Sequence, residues 1–597
     1  MPDHISYDTQ KQAIPNATQN SPGPVVLEQR QALFQYAVTT DQDLDEDIQM
    51  LRQPETRPIS YDQLVAEVKG IYAGLVMVEA KTIEVDQQQS IAAQEDPARR
   101  PPLPPDKWRA LVALHKQLLH EHHDFFLASQ HPAATPNLSR LAFKYSMPAR
   151  MWRHGIHSFL EVLRHRLPES LEQMVCFIYI AYSMVALLYE TVPTFEDTWV
   201  ECLGDLGRYR MAIEDEDPKD RETWSGVARY WYGKACDASP HMGRLYHHLA
   251  ILARPYTSEQ LSLYLKALTC IVPFESARGS IMTLFGPILS EKESIRHLLL
   301  ALETIVVKAH GILFTYPDGT LQDFVDTAAR LKNGLFNDYI GKSNNKFKKI
   351  GVWIATSNNA AILEFGALTA RNNPRSLLRR AFMLAIAQRV ENPVQEGSTT
   401  DPSSLDNHKV KDVDIIRDSA LRLGTINEDE ASLSSIIVYH ASDLAFSMFR
   451  IVIAQSHWED SILPFVHVQM VFLFGFVSVG DAMSHIERDV PWTEICAFLN
   501  HLSAKPGALT RRVWSRDFPK PNPSDGIGRP LPEDYDLRGQ LYAMDYFPET
   551  WFIDSAVDTD ERNLEMPSMD AARRERILWI GNRVASVCSI TRFEELG

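Results

Sequence analysis

The chain has 597 residues and is 45% hydrophobic, which suits a protein of two to four domains with packed cores. Its formal net charge of −17 argues against a protein that coats nucleic acid through a general positive field, so any recognition of phosphate must be local. The six cysteines lack C-x-x-C spacing and the N-terminus lacks a basic, apolar signal peptide. These two features predict a reducing intracellular compartment and no zinc site.

The N-terminal segment, residues 1–57, is rich in Gln, Pro, Asp and Thr, and we expect it to be a mostly disordered leader. Helical periodicity starts near Tyr61 and resumes after a proline-rich spacer at 95–105. A further helix is predicted over 148–167, because proline suits the first turn of a helix. Alternation typical of strands is hardly visible in the chain, so we predict an all-α fold.

Two uncharged runs, 173–189 and 466–480, could be taken for membrane spans. Both are shorter than the roughly 20 residues that a span needs, and the first contains Tyr179, Tyr182 and Ser183. We therefore predict that both are fully buried helices of a large helical protein that does not enter a membrane.

Residues 199–273 fit the helical-hairpin pattern of tetratricopeptide (TPR) repeats, W-x2-L-G-x2-Y on the first helix and A-x3-F followed by Pro on the second. Ala228, Tyr232 and Pro240 occupy second-helix positions, and the next repeat closes at Pro273, 33 residues further on. The first helix fits more loosely, which predicts an insertion before Ala228. Hairpins of this kind present surfaces to other proteins and perform no chemistry themselves.

The predicted helix 148–167 carries a basic stripe beside its apolar one. The basic residues recur at steps of three, four and seven, which places them on one face; they are Arg150, Arg153, His157 and Arg164. Only Glu161 interrupts this face. Close like charges on a helix cost about a few tenths of a kcal/mol per pair, so the stripe is easier to understand if it holds an anion. The alternative is a solvated face partnered by acidic residues at 214–217.

A second candidate for anion binding is the motif G-D-L-G-R-Y-R at 204–210, whose two glycines would let a neighbouring helix approach closely. Arginine offers planar, bidentate donors suited to phosphate, and tyrosine adds a hydroxyl donor. Arg208 and Tyr209 point about 100° apart on a helix, so they flank one anion only if a groove wraps around them. The alternative is that Arg208 is a structural partner of Asp205 or Glu201.

Five strings of this sequence resemble the Smg/Est-type family, whose members are adaptors of nonsense-mediated mRNA decay and of telomerase. They are CLGDLGRYR (202–210), ARYWYGKACDASPHMGRLYHHLAILA (228–253), YLKALTCIVPFESA (264–277), LPEDYDLRG (531–539) and RRERILWIGNRVAS (573–586). The last two resemble the closing helical segment of the family. The resemblance covers about residues 60–390 and 413–590.

The resemblance implies a 14-3-3-like phosphoserine-binding domain that contains the TPR hairpins, followed by a stack of helical hairpins. In 14-3-3-like domains an Arg-Tyr pair on one helix and a basic residue on an earlier helix hold the phosphate. The resemblance therefore assigns phosphate binding to Arg208 and Tyr209. It assigns the earlier basic position to Arg153, with Arg150 as the alternative.

The chain departs from the family pattern at Gly207, where alanine is usual, and in the acidic insert EDEDPKDRE at 214–222. The insert also explains the stretched first hairpin. We predict that it is a solvated loop. The alternative is a pseudo-ligand that lies over the basic groove and inhibits it.

These patterns divide the chain into five predicted segments. They are a disordered leader (1–57), a 14-3-3-like domain (58–290) containing the TPR hairpins (199–273), further helical hairpins (291–390), a polar linker (391–412) and a C-terminal helical hairpin region (413–597).

A lysine cluster suggests a rival function. Lys342, Lys346, Lys348 and Lys349 lie around one aromatic residue in GKSNNKFKK and could contact single-stranded RNA or DNA. The alternative is a mobile lysine-rich loop without a ligand.

We predict no metal, no cofactor and no enzymatic activity. His120, His122 and His123 lack the spacing of a metal site, so we interpret them as a surface helix face. The sequence contains no nucleophile elbow, Walker loop or dinucleotide-binding fingerprint. The leading hypothesis is a non-enzymatic adaptor that binds a phosphorylated decay or telomerase factor in the nucleus or the cytoplasm. The alternatives are a telomerase-associated protein that binds RNA or single-stranded DNA, and a TPR scaffold with a vestigial anion groove.

Overall fold

The computed structural model describes residues 59–93, 103–254, 256–290, 301–318, 320–342, 344–367, 376–391, 414–420, 428–454, 460–505, 510–520, 529–548, 550–553, 557 and 561–588. The predicted leader (1–57) and, apart from its first residue, the predicted linker (391–412) lie outside the described residues. All regular elements of the described residues are helical, which confirms the predicted all-α fold.

Nineteen helices are numbered here in chain order. They are α1 (Tyr61–Ala93), α2 (Pro105–Ser129), α3 (Met147–Arg150, Met151–His157 and Ser158–Arg164 in unbroken succession), α4 (Leu171–Thr191), α5 (Glu196–Ala212), α6 (Pro218–Ala238), α7 (Gly243–Leu252), α8 (Thr257–Thr269), α9 (Ala277–Leu289), α10 (Leu302–Phe314), α11 (Leu321–Arg330), α12 (Phe336–Lys342), α13 (Asn344–Ile362), α14 (Leu377–Glu391), α15 (Glu428–Ile453), α16 (Leu463–Val477), α17 (Trp492–Ser503), α18 (Pro532–Leu537) and α19 (Pro567–Cys588). Shorter helical turns lie at Pro136–Ser139, Leu141–Lys144, Pro193–Phe195, Leu331–Leu335, Glu364–Gly366, Asp460–Ile462, Gly480–Met483, Arg511–Trp514 and Leu541–Ala543.

Two large hydrophobic cores organise these helices. The first core lies among α1 to α5, from Leu64 to Tyr209. The second core runs from Tyr246 to Val584 and joins helices on both sides of the predicted linker. The predicted boundary at residue 290 therefore lies within the span of the second core.

Residues 199–273 form two helix pairs, in which α5 packs against α6 and α7 packs against α8. The first pair is close because a Cβ atom at Gly204 would lie 2.8 Å from the ring of Tyr232, and one at Gly207 would lie 3.3 Å from Ala228. The expected close approach at both glycines is thus confirmed. The assignment of these pairs to TPR repeats within a 14-3-3-like domain stays a prediction.

The two C-terminal strings of the family resemblance meet through buried ion pairs. Glu533 on α18 pairs with Arg573 on α19, and Asp534 pairs with Arg576 at 2.6 Å. Burial opposes the charge of Glu533, but Arg573 and His467 hold the pKa of this carboxyl well below its usual range. These pairs fasten α19 to the second core.

The C-terminal string also contacts both helix pairs of 199–273. The Lys266 ammonium on α8 donates to the carbonyl oxygen of Tyr535 at 2.9 Å. Arg538 Nη2 donates to the carbonyl oxygen of Asp237 at 3.0 Å. Gly539 adopts a positive φ of 83°, and a Cβ atom there would meet the carbonyl oxygen of Pro240. Glycine is therefore required at position 539, where the segment that follows α18 crosses the α6–α7 turn.

Three helical segments are long and apolar enough to cross a membrane by length and composition alone: Leu171–Thr191, Glu428–Ile453 and Asp460–Val477. The shares of their apolar windows that are buried in the protein are 39%, 61% and 83%. The prediction that 173–189 is fully buried was wrong, since Tyr179 and Leu187 are exposed. Helix α4 has 21 residues because it continues past both ends of the uncharged run.

Candidate anion-binding site

The motif at 204–210 lies on α5, and its Arg208 enters a hydrogen-bonded cluster between α5 and α6. Arg208 Nη2 donates to Asp205 Oδ1 at 2.8 Å, and Arg208 Nε donates to Tyr232 Oη at 3.2 Å. The Tyr232 hydroxyl donates to the same Asp205 oxygen at 2.6 Å. Asp205, one of the two structural partners that the sequence offered, is therefore bound to Arg208. The arginine side chain nevertheless keeps 22% of its surface exposed.

In this cluster Arg208 stays positively charged, and only some of its N–H groups form hydrogen bonds to described side chains. Burial opposes the guanidinium charge, but Tyr232 and Asp205 hold the pKa of Arg208 above its ordinary range. Burial also opposes the charge of Asp205, yet His248 and Arg208 lower the pKa of its carboxyl. A guanidinium has five N–H donors, and the bonds of Arg208 to described side chains use two of them. Its other three N–H groups have no hydrogen-bond partner among the described side chains.

Tyr209 contacts α3 through its hydroxyl and its ring. Its hydroxyl donates to Glu161 Oε1 at 3.1 Å, and its ring meets His157 edge to face with 6.4 Å between centroids. The guanidinium carbon of Arg208 lies 5.1 Å from the centroid of the Tyr209 ring. Burial raises the pKa of Tyr209 to about 12, so its hydroxyl is a proton donor at neutral pH.

The two candidates for the earlier basic residue have different surroundings. Arg150 turns to α1, where both its Nε, at 3.0 Å, and its Nη2 donate to Glu79. Its guanidinium also lies over the ring of Tyr72, 5.9 Å from the centroid. Arg153 is exposed and makes no ion pair with a described residue. Of the two, only Arg153 presents its guanidinium to solvent without a carboxylate from the described part of the chain.

Three other residues of α3 lie closer to Tyr209 than the sequence indicated. His157 and Glu161 touch it directly, and Arg164 holds Glu161 through Nη2 to Oε2 at 2.6 Å and Nε at 3.1 Å. Sequence reasoning placed His157 and Arg164 on the basic stripe but not in the phosphate site. His157 and Arg164 lie four and eleven residues after Arg153. This helical spacing is the feature of the sequence that could have placed them near the same site.

The central turn of α3, Met151–His157, has π-helical hydrogen bonding. The carbonyl oxygen of Gly155 in this turn faces His115 Nδ1 on α2 at 3.0 Å, and a Cβ atom at Gly155 would lie 3.1 Å from Leu119. Single π-helical turns inside α-helices occur frequently at functional sites. Arg153 and His157 both belong to this segment, which packs against α2.

The acidic insert at 214–222 pairs with arginines at the α5–α6 turn. Arg210 donates to Glu214 at 2.7 Å and to Asp220 at 2.7 Å. Asp217 caps α6 by accepting from the backbone nitrogen of Lys219 at 2.8 Å. Among the described contacts, the acids at 214–217 are partners of this turn and not of the basic stripe on α3.

The lysine cluster is split between solvent and an ion-pair network. Lys346 and Lys349 are exposed, and the Lys349 ammonium lies 5.1 Å from the centroid of the Trp353 ring. Lys348 donates to both carboxylate oxygens of Asp570 on α19, each at 3.0 Å. The side chain of Lys342 lies outside the described residues.

The interpretation of the three histidines as a surface face was wrong for one of them. His122 is fully buried on α2, with Nδ1 at 2.9 Å from the carbonyl oxygen of Leu118, while His120 is exposed. Burial lowers the pKa of His122 to about 4. Within the described residues, no group of three or more His, Cys, Asp or Glu side chains is arranged to hold a metal ion.

The described part of the chain is an all-helical protein with a candidate anion-binding surface where side chains of α3 and α5 meet. No protein-family model matches the chain. Two known proteins are similar to it over part of its length. It is 29% identical over 109 residues to EST/SMG-like protein 2 of Saccharomyces cerevisiae, and 38% identical over 87 residues to telomerase-binding protein EST1A of Danio rerio.

The matched segments cover 18% and 14% of this chain, but only 9% and 5% of those two proteins. The matched region therefore makes up less than a tenth of the length of either relative. These similarities support the resemblance to the Smg/Est-type family over a small part of the chain.

Proposed function

We propose that this protein is a non-enzymatic adaptor that binds a phosphorylated protein partner, and that it acts with mRNA-decay or telomerase factors in the nucleus or the cytoplasm. The biological setting follows from the family resemblance and from the similarity to EST/SMG-like protein 2 and telomerase-binding protein EST1A. The binding chemistry follows from the residues of α3 and α5.

One observation carries the proposal: Tyr209 of α5 contacts the basic stripe of α3 at His157 and Glu161. The two sets of residues to which the resemblance assigns phosphate binding are thus on adjoining helices. A phosphate near Tyr209 would have donors from both sides.

The hydrogen-bond donors near the contact between α3 and α5 include one that is already oriented, in Arg208, and one that is exposed, in Arg153. Arg208 is fixed by Asp205 and Tyr232, so little side-chain entropy is lost when a ligand binds its remaining N–H groups. Arg153 lies one turn before His157 on the same face and is exposed. Charge-assisted hydrogen bonds of this kind contribute about 1.5 to 3 kcal/mol each.

The test is a fluorescence titration with a degenerate peptide library centred on phosphoserine, with the same library centred on serine as the reference. We expect the phosphorylated library to bind the wild type. Arg208→Glu and Arg153→Glu should weaken binding by roughly ten- to hundred-fold each.

Arg488→Glu is the matched control, because Arg488 is an exposed arginine outside the candidate site and the charge change is the same. Circular dichroism must show that each variant is folded. Equal binding of both libraries, or equal binding by wild type and Arg208→Glu, would contradict the proposal and favour a scaffold whose anion groove is vestigial.

A second candidate function is the binding of single-stranded RNA or DNA through Lys346 and Lys349. Their exposure at the start of α13 is the observation that favours it. Nucleic-acid binding weakens steeply with salt, with a slope that follows the number of phosphates neutralised. Anisotropy titrations with 20-nucleotide RNA and DNA at about 50 and 200 mM salt test this, and an affinity that does not change with salt would exclude it.

A further inference from the structure

A cavity of about 480 Å³ lies where the start of α5, the end of α6 and the start of α7 meet. Its volume is within the range of about 300 to 1,000 Å³ that is usual for ligand pockets. Part of its lining is apolar and comes from Val200, Ala235 and Leu245, which are buried and packed together in a small core. The hydrocarbon stem of a long side chain can therefore pack here.

The charged part of the lining is acidic overall. Besides His241, the titratable and charged residues that line the cavity are Glu196, Asp197, Glu201, Asp237, Lys234 and Arg244. Lys234 pairs with Glu196 at 3.5 Å, and Arg244 pairs with Glu201 at 2.7 Å. Asp237 is bound by two arginines from the segment between α18 and α19. The remaining capacity for a cation lies at Glu201 and Asp197.

Glu201 has one carboxylate oxygen that the described protein groups leave unbound. Its Oε2 accepts from Arg244 Nη2 at 2.7 Å, whereas its Oε1 is buried and has no hydrogen-bond partner among the described residues. Burial raises the pKa of Glu201 to about 6, although Arg244 opposes this rise, so the carboxyl is mostly charged at pH 7. A buried acceptor without a donor is destabilising. A cation at Oε1 would supply the donor.

Asp197 offers a second carboxylate next to Glu201. It lies four residues earlier on α5, and residues at this spacing are neighbours on a helix surface. Its side chain is exposed and makes no ion pair with a described residue. A cationic group at Glu201 Oε1 would therefore also be close to Asp197.

The cavity suits the side chain of lysine or arginine better than a metal ion. Within the described residues, no three His, Cys, Asp or Glu side chains are arranged to hold a metal. Lysine and arginine combine an apolar stem with a cationic head. This combination matches the apolar lining at Val200 and Leu245 beside the free oxygen of Glu201.

Glu201 and Arg208 lie on the same face of α5, because seven residues, or two helical turns, separate them. At 1.5 Å per residue their separation along the helix axis is about 10 Å. Asp205 lies between them and accepts from Arg208 at 2.8 Å. Since an extended peptide advances about 3.3 Å per residue, a peptide bound at Arg208 reaches Glu201 in about three residues.

We propose that this cavity binds the side chain of a lysine or arginine that lies about three residues from the phosphoserine of the partner. The cationic head binds Glu201 Oε1 and Asp197, and the stem packs on Val200 and Leu245. This inference rests on the proposed phosphoserine-binding function. It adds a second contact that decides which phosphorylated sequences the protein prefers.

The experiment uses the strongest-binding sequence recovered from the phosphoserine library, with any basic residue first replaced by norleucine. Each position on both sides of the phosphoserine is then changed, one at a time, to lysine or to norleucine. Norleucine has the hydrocarbon stem of lysine but no ammonium group, so the ratio of the two dissociation constants isolates the effect of the charge.

The proteins are the wild type, Glu201→Gln, Asp197→Asn and Glu487→Gln, each as the full chain. Glutamine at position 201 can still accept from Arg244, but it lacks the charge. Glu487 is an exposed glutamate outside the cavity and the candidate site, so its change controls for the loss of one negative charge. Unchanged affinity for the norleucine peptides shows that a variant is folded.

In the wild type and in Glu487→Gln, lysine should bind about tenfold more tightly than norleucine at a position about three residues from the phosphoserine. Elsewhere in the peptide the two should bind alike. Glu201→Gln should abolish most of the advantage of lysine. Asp197→Asn should reduce it by about twofold, because ion pairs of exposed carboxylates are weak.

The outcomes separate the two proposals. If lysine and norleucine bind alike at every position while the phosphoserine peptides still bind, the role of the cavity is wrong and the phosphoserine-binding function is intact. If lysine keeps its advantage in both Glu201→Gln and Asp197→Asn, the cation binds elsewhere and the cavity is not its site. If no phosphoserine peptide binds the wild type, both proposals are wrong.

Discussion

Arg573 and Glu533 form a doubly hydrogen-bonded ion pair, with distances of 2.8 Å from Nε to Oε1 and 2.9 Å from Nη2 to Oε2, and neither side chain is exposed to solvent. His467 shares the carboxylate at 2.9 Å. Arg573 also pairs with Glu565 and Asp570, so removing Glu533 costs about 1.5 to 3 kcal/mol for the lost charge-assisted hydrogen bonds and does not leave the arginine uncompensated.

Glu533→Gln should therefore lower the free energy of unfolding by about 1.5 to 3 kcal/mol, measured by urea denaturation. The control is Glu494→Gln, because the Arg450–Glu494 pair is exposed and such pairs contribute about 0 to 1 kcal/mol. Similar shifts of the urea midpoint in the two variants would show that the buried pair does not fasten α19.

The glycines of α5 make a second prediction. A Cβ atom at Gly204 would lie 2.8 Å from the Tyr232 ring, which cannot move without losing its bonds to Asp205 and Arg208. Gly204→Ala should destabilise the protein by about 1 to 3 kcal/mol through overpacking and should weaken phosphopeptide binding.

Gly207→Ala is the comparison within the same helix, because its Cβ atom would keep 3.3 Å from Ala228. There the gain in helix propensity of about 1 kcal/mol offsets the tighter contact. Thermal unfolding of both variants checks the prediction. A larger loss for Gly207→Ala would contradict the geometry of the α5–α6 contact.

Burial of His122 predicts a pH dependence of stability. The pKa of His122 is lowered from 6.5 to about 4, so between these values the unfolded chain binds a proton that the folded protein excludes. Stability contributed by the neutral ring is present above pH 6.5 and is lost as the pH falls towards 4. The loss from this residue between pH 7 and pH 5 should be about 2 kcal/mol.

His122→Gln should remove that part of the pH dependence, as measured by urea denaturation at pH 7 and pH 5. His120→Gln, at an exposed position of the same helix, is the control. If His122→Gln loses as much stability as the wild type over this interval, the neutral buried histidine is not the cause.

The lysine cluster predicts one effect for its exposed members, Lys346 and Lys349, and another for the ion-paired Lys348. Lys346→Ala and Lys349→Ala together should reduce any binding of single-stranded RNA and lower its salt slope by about two. Lys348→Ala should leave that slope unchanged and instead lower thermal stability, because Lys348 pairs with Asp570. Anisotropy titration and thermal unfolding of the two variants measure both effects, and a lower slope in Lys348→Ala would contradict this division.

The sequence predicted those features of the structure that depend only on residues close together along one helix. The helix of the basic stripe, the helix of the Arg208 motif and the close approach at Gly204 follow from spacing and side-chain size. The sequence did not predict which stripe residues would meet Tyr209. Arg150 shares a face with Arg153, but its partner, Glu79, lies 71 residues earlier.

Glu161 shows the same limit. Its contact with Tyr209 spans 48 residues and depends on how α3 packs against α5. On the sequence it was only an interruption of a positive face. Its position at the hydroxyl of Tyr209 follows from helix packing, which no local pattern specifies.

The positions of the two cores along the chain determine the order in which they can be completed during synthesis. All residues of the first core are present once residue 209 has been synthesised, whereas the second core needs α19 and is complete only near residue 584. At about 5 to 20 residues per second, a ribosome takes tens of seconds to cover that distance. A nascent chain therefore holds every residue of its first core while α16 and α17 still await α19, the helix against which they pack, so apolar residues of the second core stay exposed for longer during synthesis.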